Sequence, residues 1–494
     1  MKTQLSRRAA LGGLLSLSAT AALANAPLTS LPPLARAPEV PERPRLRPNL
    51  DQYIFEAGLT GLTGVIVTDT ATGEILEQYQ PLTAMPPASV AKVVTSLYAL
   101  ETLGSEYRFT TQLVATGPIS DEGVLDGDLV LVGGGDPTLT TDNLGELAQM
   151  LVDAGVKEVT GAFQVWGGAL PYVEEIEPEQ LDHLGYNPAV SGLNLNFNRV
   201  FFEWARTGSS YDVTMDARSE KYSPSVEVAR MEVIDRTTPI YTYENDDDHD
   251  EWTVSKAALG DGGGYWLPVR HPDLYAGDVF HSIARSKGIK LSEPVKADAA
   301  PTSEPFLQYL SEPLDVVVKD CLKYSTNLTA EVLGLTATAQ RTGIPADLKS
   351  SAAEMRQWIF ERTGATVRLM DHCGLNPDSR ITPASLVGLL NAPDVQNLLR
   401  PLLKNIVLRD AEGTPINTAA HVEAKTGTLN FVSALAGYVH TKDGRELSFA
   451  IFSGDLPRRE AFAETEAGRP QGAASYNGKA KRLQQVLLQR WADF

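Results

Sequence analysis

The feature that most constrains this chain is a wide separation. Ser89-Val90-Ala91-Lys92, Ser325-Thr326-Asn327 and Lys425-Thr426-Gly427 occur in that order, with more than two hundred positions between the first two. If the three strings meet at one place, the fold must carry a large excursion between its early and late segments. A compact fold does not need that length there, so one or two inserted modules are expected, mostly β and ending before about residue 300. At 494 residues the chain has room for two or three domains. Its 43% apolar and 21% charged residues are ordinary for a globular protein with a sizeable core.

Local patterning predicts how the ends meet. Val65-Ile66-Val67-Thr68 and Glu74-Ile75-Leu76, joined across Asp69 to Gly73, read as a hairpin. Pro86-Pro87 then stops the chain. Val90, Val93, Val94, Leu97 and Leu100 recur at helical spacing, predicting a helix that opens at Ser89 and ends at Gly104. After Thr110 come short strands broken by glycine turns, over 112–115, 129–132, 163–166 and 200–204. Helical spacing returns at Leu314, breaks near Tyr324-Ser325 and resumes from Leu328 to Leu335, with further helices expected over 350–362 and 383–390. Strands over 423–428, 433–439 and 447–452 form a meander, and a closing helix spans Lys481 to Trp491. Strands at both ends with helices between predict an α+β fold in which the first and last segments share one antiparallel sheet flanked by helices.

The three strings supply complementary chemistry. Ser89 and Lys92 stand three apart at a helix start, so they share a face. The amides there favour negative charge, including a developing oxyanion. A lysine that loses its proton through burial or basic neighbours can take one from Ser89. Ser325 and Asn327 lie in a break between helices, where Ser325 can relay a proton to a leaving amine and Asn327 can hold a substrate carbonyl. Lys425 offers positive charge to a terminal carboxylate, Thr426 a hydrogen bond to it, and Gly427 room for a substrate backbone at the strand edge. The amide of Thr428 can join that of Ser89 as an oxyanion hole. Each string alone is ordinary: a capping serine with a solvated lysine, a helix cap, a strand end. Their order is what points to a serine enzyme that opens amide bonds through a covalent intermediate, with no metal or organic cofactor required. Ser475-Tyr476-Asn477 repeats the second pattern, but it follows the Lys425 string and is expected outside any helix, so it is set aside.

Other features mostly exclude. With 43 basic against 62 acidic residues the net charge is −19, a field that opposes nucleic acid and anionic membrane surfaces. Lys2, Arg7 and Arg8, the apolar run from Ala9 to Ala22, and Ala22-Leu23-Ala24 before Asn25 predict a cleaved export signal over 1–24. Arg7-Arg8 leaves the general and twin-arginine routes both open. The proline- and arginine-rich residues 25–49 read as an extended leader. No later stretch reaches the roughly 20 apolar residues needed to span a bilayer, so the mature chain is expected to be soluble and outside the cytoplasm. Cys321 and Cys373 are equally consistent with a disulfide and with two buried thiols. The acidic stretch Asn245 to Glu251 reads as a solvated loop, because it lacks the regular ligand spacing of a calcium site. Gly133-Gly134-Gly135-Asp136-Pro137 reads as a tight turn, since no Gly-Lys-Ser/Thr ending follows.

At its three strings the chain resembles the penicillin-binding proteins and serine β-lactamases. The long gap after the first string is similar to that of the class C low-molecular-mass penicillin-binding proteins, the D-alanyl-D-alanine carboxypeptidase/endopeptidase family. Leu125 to Leu129, Gly133 to Leu139 and Tyr186 to Ser191 look like that family too, and the resemblance runs from about residue 50 to about residue 455. It implies a discontinuous catalytic domain over 50–110 and 300–494. Residues 111–299 would then form inserted modules, one nested in the other. It also implies a periplasmic serine DD-peptidase that trims D-Ala-D-Ala ends of peptidoglycan stem peptides, possesses the means to cut their crosslinks, and is acylated by β-lactam antibiotics. The roles go to Ser89, Lys92, Ser325, Asn327 and Lys425 in catalysis, and to Thr426, Gly427 and Thr428 in binding and oxyanion stabilisation. A β-lactamase is the enzymatic rival, disfavoured by the long insertion and by the lack of a Glu-x-x-Leu-Asn segment. An inactive wall-binding protein is the other, and intact Ser89, Lys92, Asn327 and Lys425 argue against it. The chain departs from the family at Thr326, and at Asp371-His372-Cys373-Gly374-Leu375 where Asp-Gly-Ser-Gly-Leu is usual.

Overall fold

A computed structural model describes residues 49–246, 248–461 and 470–494. The expected export signal and most of the leader lie outside the described residues.

Six antiparallel strands form the central sheet: β1 (Leu62–Asp69), β2 (Ile75–Tyr79), β3 (Lys404–Asn405), β4 (His421–Leu429), β5 (Val432–His440) and β6 (Glu446–Gly454). Their order is β3-β4-β5-β6-β1-β2, so the first strand lies beside the last. In β1, β5 and β6 nearly every position is buried. Such continuous burial means that both faces of the sheet are covered. Val65, Val67, Leu435, Phe449 and Ile451 pack on one side against Leu483, Leu487, Leu488 and Trp491 of the closing helix. Ile66, Ala434, Ala436, Ala450 and Phe452 alternate to the other side, where they meet a cluster of helices.

That cluster contains α1 (Ala91–Leu103), α2 (Leu314–Tyr324), α3 (Asn327–Thr342), α4 (Leu348–Thr363) and α5 (Pro383–Leu390), and α6 (Ala473–Ala492) is the closing helix. Every residue of α1 from Ala91 to Leu100 is buried, Lys92 included. A helix enclosed on all sides is the innermost element of its layer, and this one carries the lysine of the first string into the protein interior. Gly104 ends it at φ 86°.

Between Thr110 and Leu310 the chain builds separate sheets: one of five strands, two of three and one of two. Their core gathers Leu113, Leu131, Phe163, Val200, Trp252 and Phe280. This region also holds the helices Thr141–Asp153 and Pro272–Ser286, which the strand-dominated reading of the sequence did not resolve. Thr140 caps the first through a capping box, and Pro272 opens the second.

Two local expectations need correction, and the alternative left open for the cysteines is decided. The acidic stretch is a β-hairpin between Tyr241–Asp246 and His249–Ser255 rather than a free loop. Its Asp250 is fully buried, bonded to the Arg270 amide at 3.0 Å and the Tyr243 hydroxyl at 3.0 Å, and burial pushes its carboxyl up to about 7. The closing helix starts eight residues before Lys481, so Ser475-Tyr476-Asn477 is helical. Ser475, Asn477 and Gly478 make that first stretch a poor helix by propensity, but Tyr476 buries against Phe431 and holds it in place. Cys321 and Cys373 are both free and buried. Among the described residues, no helix is long and apolar enough to cross a membrane.

Candidate active site

Ser89 sits in a single 3-10 turn, Ala88–Val90, that leads directly into α1. Ala88 holds a left-handed φ of 47°, a conformation that strains a residue with a side chain. Two glycines allow the turn to be gripped from both sides. A Cβ on Gly427 would lie 2.6 Å from the Pro87 carbonyl oxygen and 3.1 Å from the Ser89 nitrogen. One on Gly374, itself at φ +82°, would lie 1.9 Å from the Ala88 carbonyl oxygen. Strand β4 and the 371–375 loop therefore press on the Ser89 turn with bare backbone.

The buried Lys92 ammonium has three donors, and three acceptors surround it. Nζ donates to Ser89 Oγ at 3.0 Å, to Asn327 Oδ1 at 2.8 Å and to the Cys373 carbonyl at 2.8 Å. Asn327 opens α3 and donates its own Nδ2 to the Tyr186 carbonyl at 2.9 Å, tying the site to the inserted region. Ser325 occupies the left-handed cap between α2 and α3, at φ 64° and ψ 38°. This kink turns its hydroxyl toward Lys425, whose Nζ donates to Ser325 Oγ at 2.9 Å and to the Thr426 carbonyl at 2.9 Å. Lys425 is only 2% exposed. Burial, with the positive charge of Lys92 next in weight, holds its ammonium well down, to about 7.

Ser89, Ser325, Asn327 and Thr428 share the wall of one cleft of about 580 Å³. Thr426 is exposed on β4 and is not part of that wall, while Gly427 is buried beneath it. A larger cavity of about 930 Å³ lies in the inserted region around His249, Asp278, His281 and Arg285. None of the three strings reaches it, so size does not locate the chemistry here.

Residues 46–470 match the family described as D-Ala-D-Ala carboxypeptidase 3 (S13). The chain belongs to this family. It is a serine-type D-Ala-D-Ala carboxypeptidase by that membership. A D-alanyl-D-alanine carboxypeptidase of an Actinomadura species is 27% identical over 475 residues, covering 87% of this chain and 86% of its own. The crystal structure of penicillin binding protein 4 from Haemophilus influenzae superposes with a TM-score of 0.72 at 20% identity, covering 90% of this chain and all of the other. The same protein complexed with a β-lactam gives a TM-score of 0.68 at 20% identity, with the same coverage. The α+β fold expected from the sequence is thus the fold of this family.

Against the family string, His372 and Cys373 find local accommodation. The His372 ring fits over Gly334, where a Cβ would lie 2.2 Å from it, and Nε2 pairs with Ser351 Oγ at 2.8 Å. Burial pushes this imidazole down to about 3, so it is neutral and acts as packing. Burial and the carboxyl groups of Glu331 and Asp371 raise the Cys373 thiol well above its usual range, which keeps it protonated and a poor nucleophile. Glu331, Asp371 and Cys373 bring their oxygen and sulfur atoms within 4.8 Å of one another. Backbone amides occupy the two carboxyl groups, and a protonated thiol is no metal ligand.

Sequence reasoning missed part of the cleft. Tyr186 and Gln180 reach it from the inserted region, joined by a 2.9 Å bond from the Tyr186 hydroxyl to Gln180 Oε1. Arg459, Asn477 and Lys481 line the opposite rim, and Asn477 Nδ2 steadies the end of β4 through the Leu429 carbonyl at 2.9 Å. Asn477 carried a signal, the repeated Ser-x-Asn string. Tyr186 opens one of the family-like stretches, although nothing there pointed to the cleft, and the other three had no signal, because each depends on a loop or helix passing the cleft from far away in the chain.

Proposed function

We propose that this carboxypeptidase works through an acyl-enzyme on Ser89, with D-Ala-D-Ala ends of peptidoglycan stem peptides as substrate. The observation that carries the reading is the Lys92 Nζ, 3.0 Å from Ser89 Oγ and anchored on its other sides by Asn327 and the Cys373 carbonyl. As Ser89 Oγ attacks the carbonyl of the penultimate D-alanine, Lys92 acts in its neutral amine form, and its lone pair accepts the Ser89 proton. The amides of Ser89 and Thr428 stabilise the tetrahedral oxyanion. Ser325, bonded to Lys425, passes a proton to the departing D-alanine nitrogen, and Asn327 holds the substrate backbone. Water then attacks the ester and frees Ser89. Thr426 and Gly427 shape the strand edge along which the peptide lies.

The same steps open a β-lactam ring, whose acyl product remains on Ser89. They also cleave a crosslink between stem peptides, where the leaving amine is merely longer. We assign residues 50–110 and 300–494 to the acyl-transfer domain and 111–299 to inserted modules, with the later boundary moved to about residue 311 because Leu307–Leu310 pairs within the inserted five-stranded sheet. The core around Phe163 and Phe280, distinct from that under the closing helix, supports the division. The basic and apolar start of the sequence supports export to the periplasm, where such a substrate is found. The deciding experiment is incubation of the purified protein with labelled penicillin, followed by mapping of the modified peptide. Modification of the peptide holding Ser89 is expected. Modification at Ser325 or Cys373, or none, would end this reading.

A further inference from the structure

Behind Lys92 lies a carboxyl group to which the three strings give no role. Glu331 stands four residues after Asn327 on α3, so the two project from one face. Its side chain is fully buried. Oε1 accepts the Cys373 amide at 2.9 Å and the His372 amide at 3.2 Å, and Oε2 accepts the His372 amide at 3.2 Å. The carbonyl of the same Cys373 receives Lys92 Nζ at 2.8 Å. Two of the three acceptors around Lys92 therefore trace to one face of α3: Asn327 directly, and Cys373 through Glu331.

The rest of the loop is tied just as closely. Asp371 Oδ2 accepts the Leu375 amide at 2.6 Å, the Asn376 amide at 2.8 Å and the Cys373 thiol at 3.3 Å, while Oδ1 accepts the Ser379 hydroxyl at 3.1 Å. Gly374 abuts the Ala88 carbonyl with no space for a Cβ, so the loop has little room to move toward Ser89. Its remaining freedom is withdrawal, which would carry the Cys373 carbonyl away from the ammonium. Glu331 opposes that motion.

We propose that Glu331 is a positioning residue for Lys92, clamping the His372–Cys373 backbone so that the Cys373 carbonyl steers the amine onto Ser89 Oγ. The proposal rests on the reading of Lys92 as the base for Ser89. Burial, followed by the Asp371 carboxylate, pushes Glu331 up to about 8. Near neutral pH it is therefore mostly protonated, and glutamine copies its shape, its neutrality and its capacity to accept both amides. Methionine copies only the length.

The test compares full-length wild type, Glu331→Gln and Glu331→Met in three measurements. These are the rate of acylation by labelled penicillin, kcat and KM on a peptide ending in D-Ala-D-Ala, and the fraction of molecules labelled at completion. Glu331→Gln should stay within about 5-fold of wild type in kcat, and Glu331→Met should lose ~100-fold in kcat and acylation rate with KM within ~3-fold. A purely architectural role would lower the labelled fraction and spare the rate of each labelled molecule. Should Glu331→Met fail to fold, Glu331→Asp takes its place. It draws the oxygens back by one methylene, and the same loss in kcat with KM held is expected. A Met or Asp variant at wild-type rate, a Gln variant as slow as Met, or a loss carried by KM overturns the proposal. Wild type that does not label at Ser89 would instead bring down the reading of the site on which it rests.

Discussion

The cleft contains two buried lysines, each aimed at a serine, and their settings differ. Lys92 projects from a helix enclosed on every side, and its ammonium meets a hydroxyl, a side-chain amide oxygen and a backbone carbonyl at 2.8–3.0 Å. Lys425 projects from β4, and donates to Ser325 Oγ and to the carbonyl of the next residue on its own strand. Lys92 is gripped by its neighbour Ser89 and by groups drawn from two distant segments. Lys425 is held more locally, with its ammonium pulled down to about 7 by burial and by Lys92. The contrast teaches a division of labour: a lysine fixed in place suits transfer over one short path, and one balanced near neutrality suits a group whose charge answers to the substrate.

The sharpest way to break this contrast is to remove the serine on the Lys92 side. Ser89→Ala should abolish penicillin labelling and lower turnover by about 10⁴-fold or more, with the circular dichroism spectrum unchanged. Labelling that survives and maps to Ser325 would exchange the two lysines' roles. Next in size is Lys92→Arg, which keeps the charge but cannot release a proton near neutral pH. The acylation rate should fall by roughly 10²–10⁴-fold, whereas a rate within a few-fold of wild type would mean that another group activates Ser89.

A smaller effect is expected at Lys425. If its ammonium receives the substrate's terminal carboxylate, Lys425→Gln should lower kcat/KM for a free D-Ala-D-Ala end by roughly 10–100-fold, and less for the amidated end. In wild type the ratio of these two kcat/KM values should fall as pH rises through about 7, because the protonated lysine that attracts the carboxylate is being lost. In Lys425→Gln that ratio should be flat with pH. Equal losses on both substrates would restrict Lys425 to proton transfer through Ser325.

The smallest effect is on stability. Folding lowers Lys425 from 10.5 to about 7, so between those values the unfolded chain binds a proton that the folded one lacks. This contribution favours the folded state above pH 10.5 and is lost as pH falls through about 7. Lys425→Gln is free of it, so its Tm relative to wild type should rise by a few degrees between pH 10 and pH 7. A relative Tm that does not change with pH would show that the ammonium is better solvated than its burial indicates.

The sequence was legible where local signals and tertiary burial agree. The β1–β2 hairpin, the helix following Pro86-Pro87, the break at Ser325 and the final meander all follow from periodicity and turn residues, and the structure places them within a few residues of expectation. The three strings were readable because their chemistry is compressed into adjacent residues. What stayed hidden depends on distance. Glu331 reads as one more helical residue until its partner loop, some forty positions later, is laid against it. Asp250 looks solvated among its acidic neighbours, and only the β-hairpin pairing turns it inward. The start of α6 was missed because its propensity is poor and its stability comes from contact with Phe431.

The sheet order has a consequence for the enzyme's birth. Leu62 of β1 pairs with Gly454 of β6, so the sheet closes only after nearly the whole chain has been made. Ser89 leaves the ribosome early, without Asn327, without the Cys373 carbonyl and without β4 to grip its turn. Pairing at such separation is slow and comes late in folding. A nascent chain therefore carries Ser89 apart from the groups that activate it until the segments holding Asn327, Cys373 and Gly427 have been made. An amide-opening enzyme assembled this way is silent through most of its own synthesis.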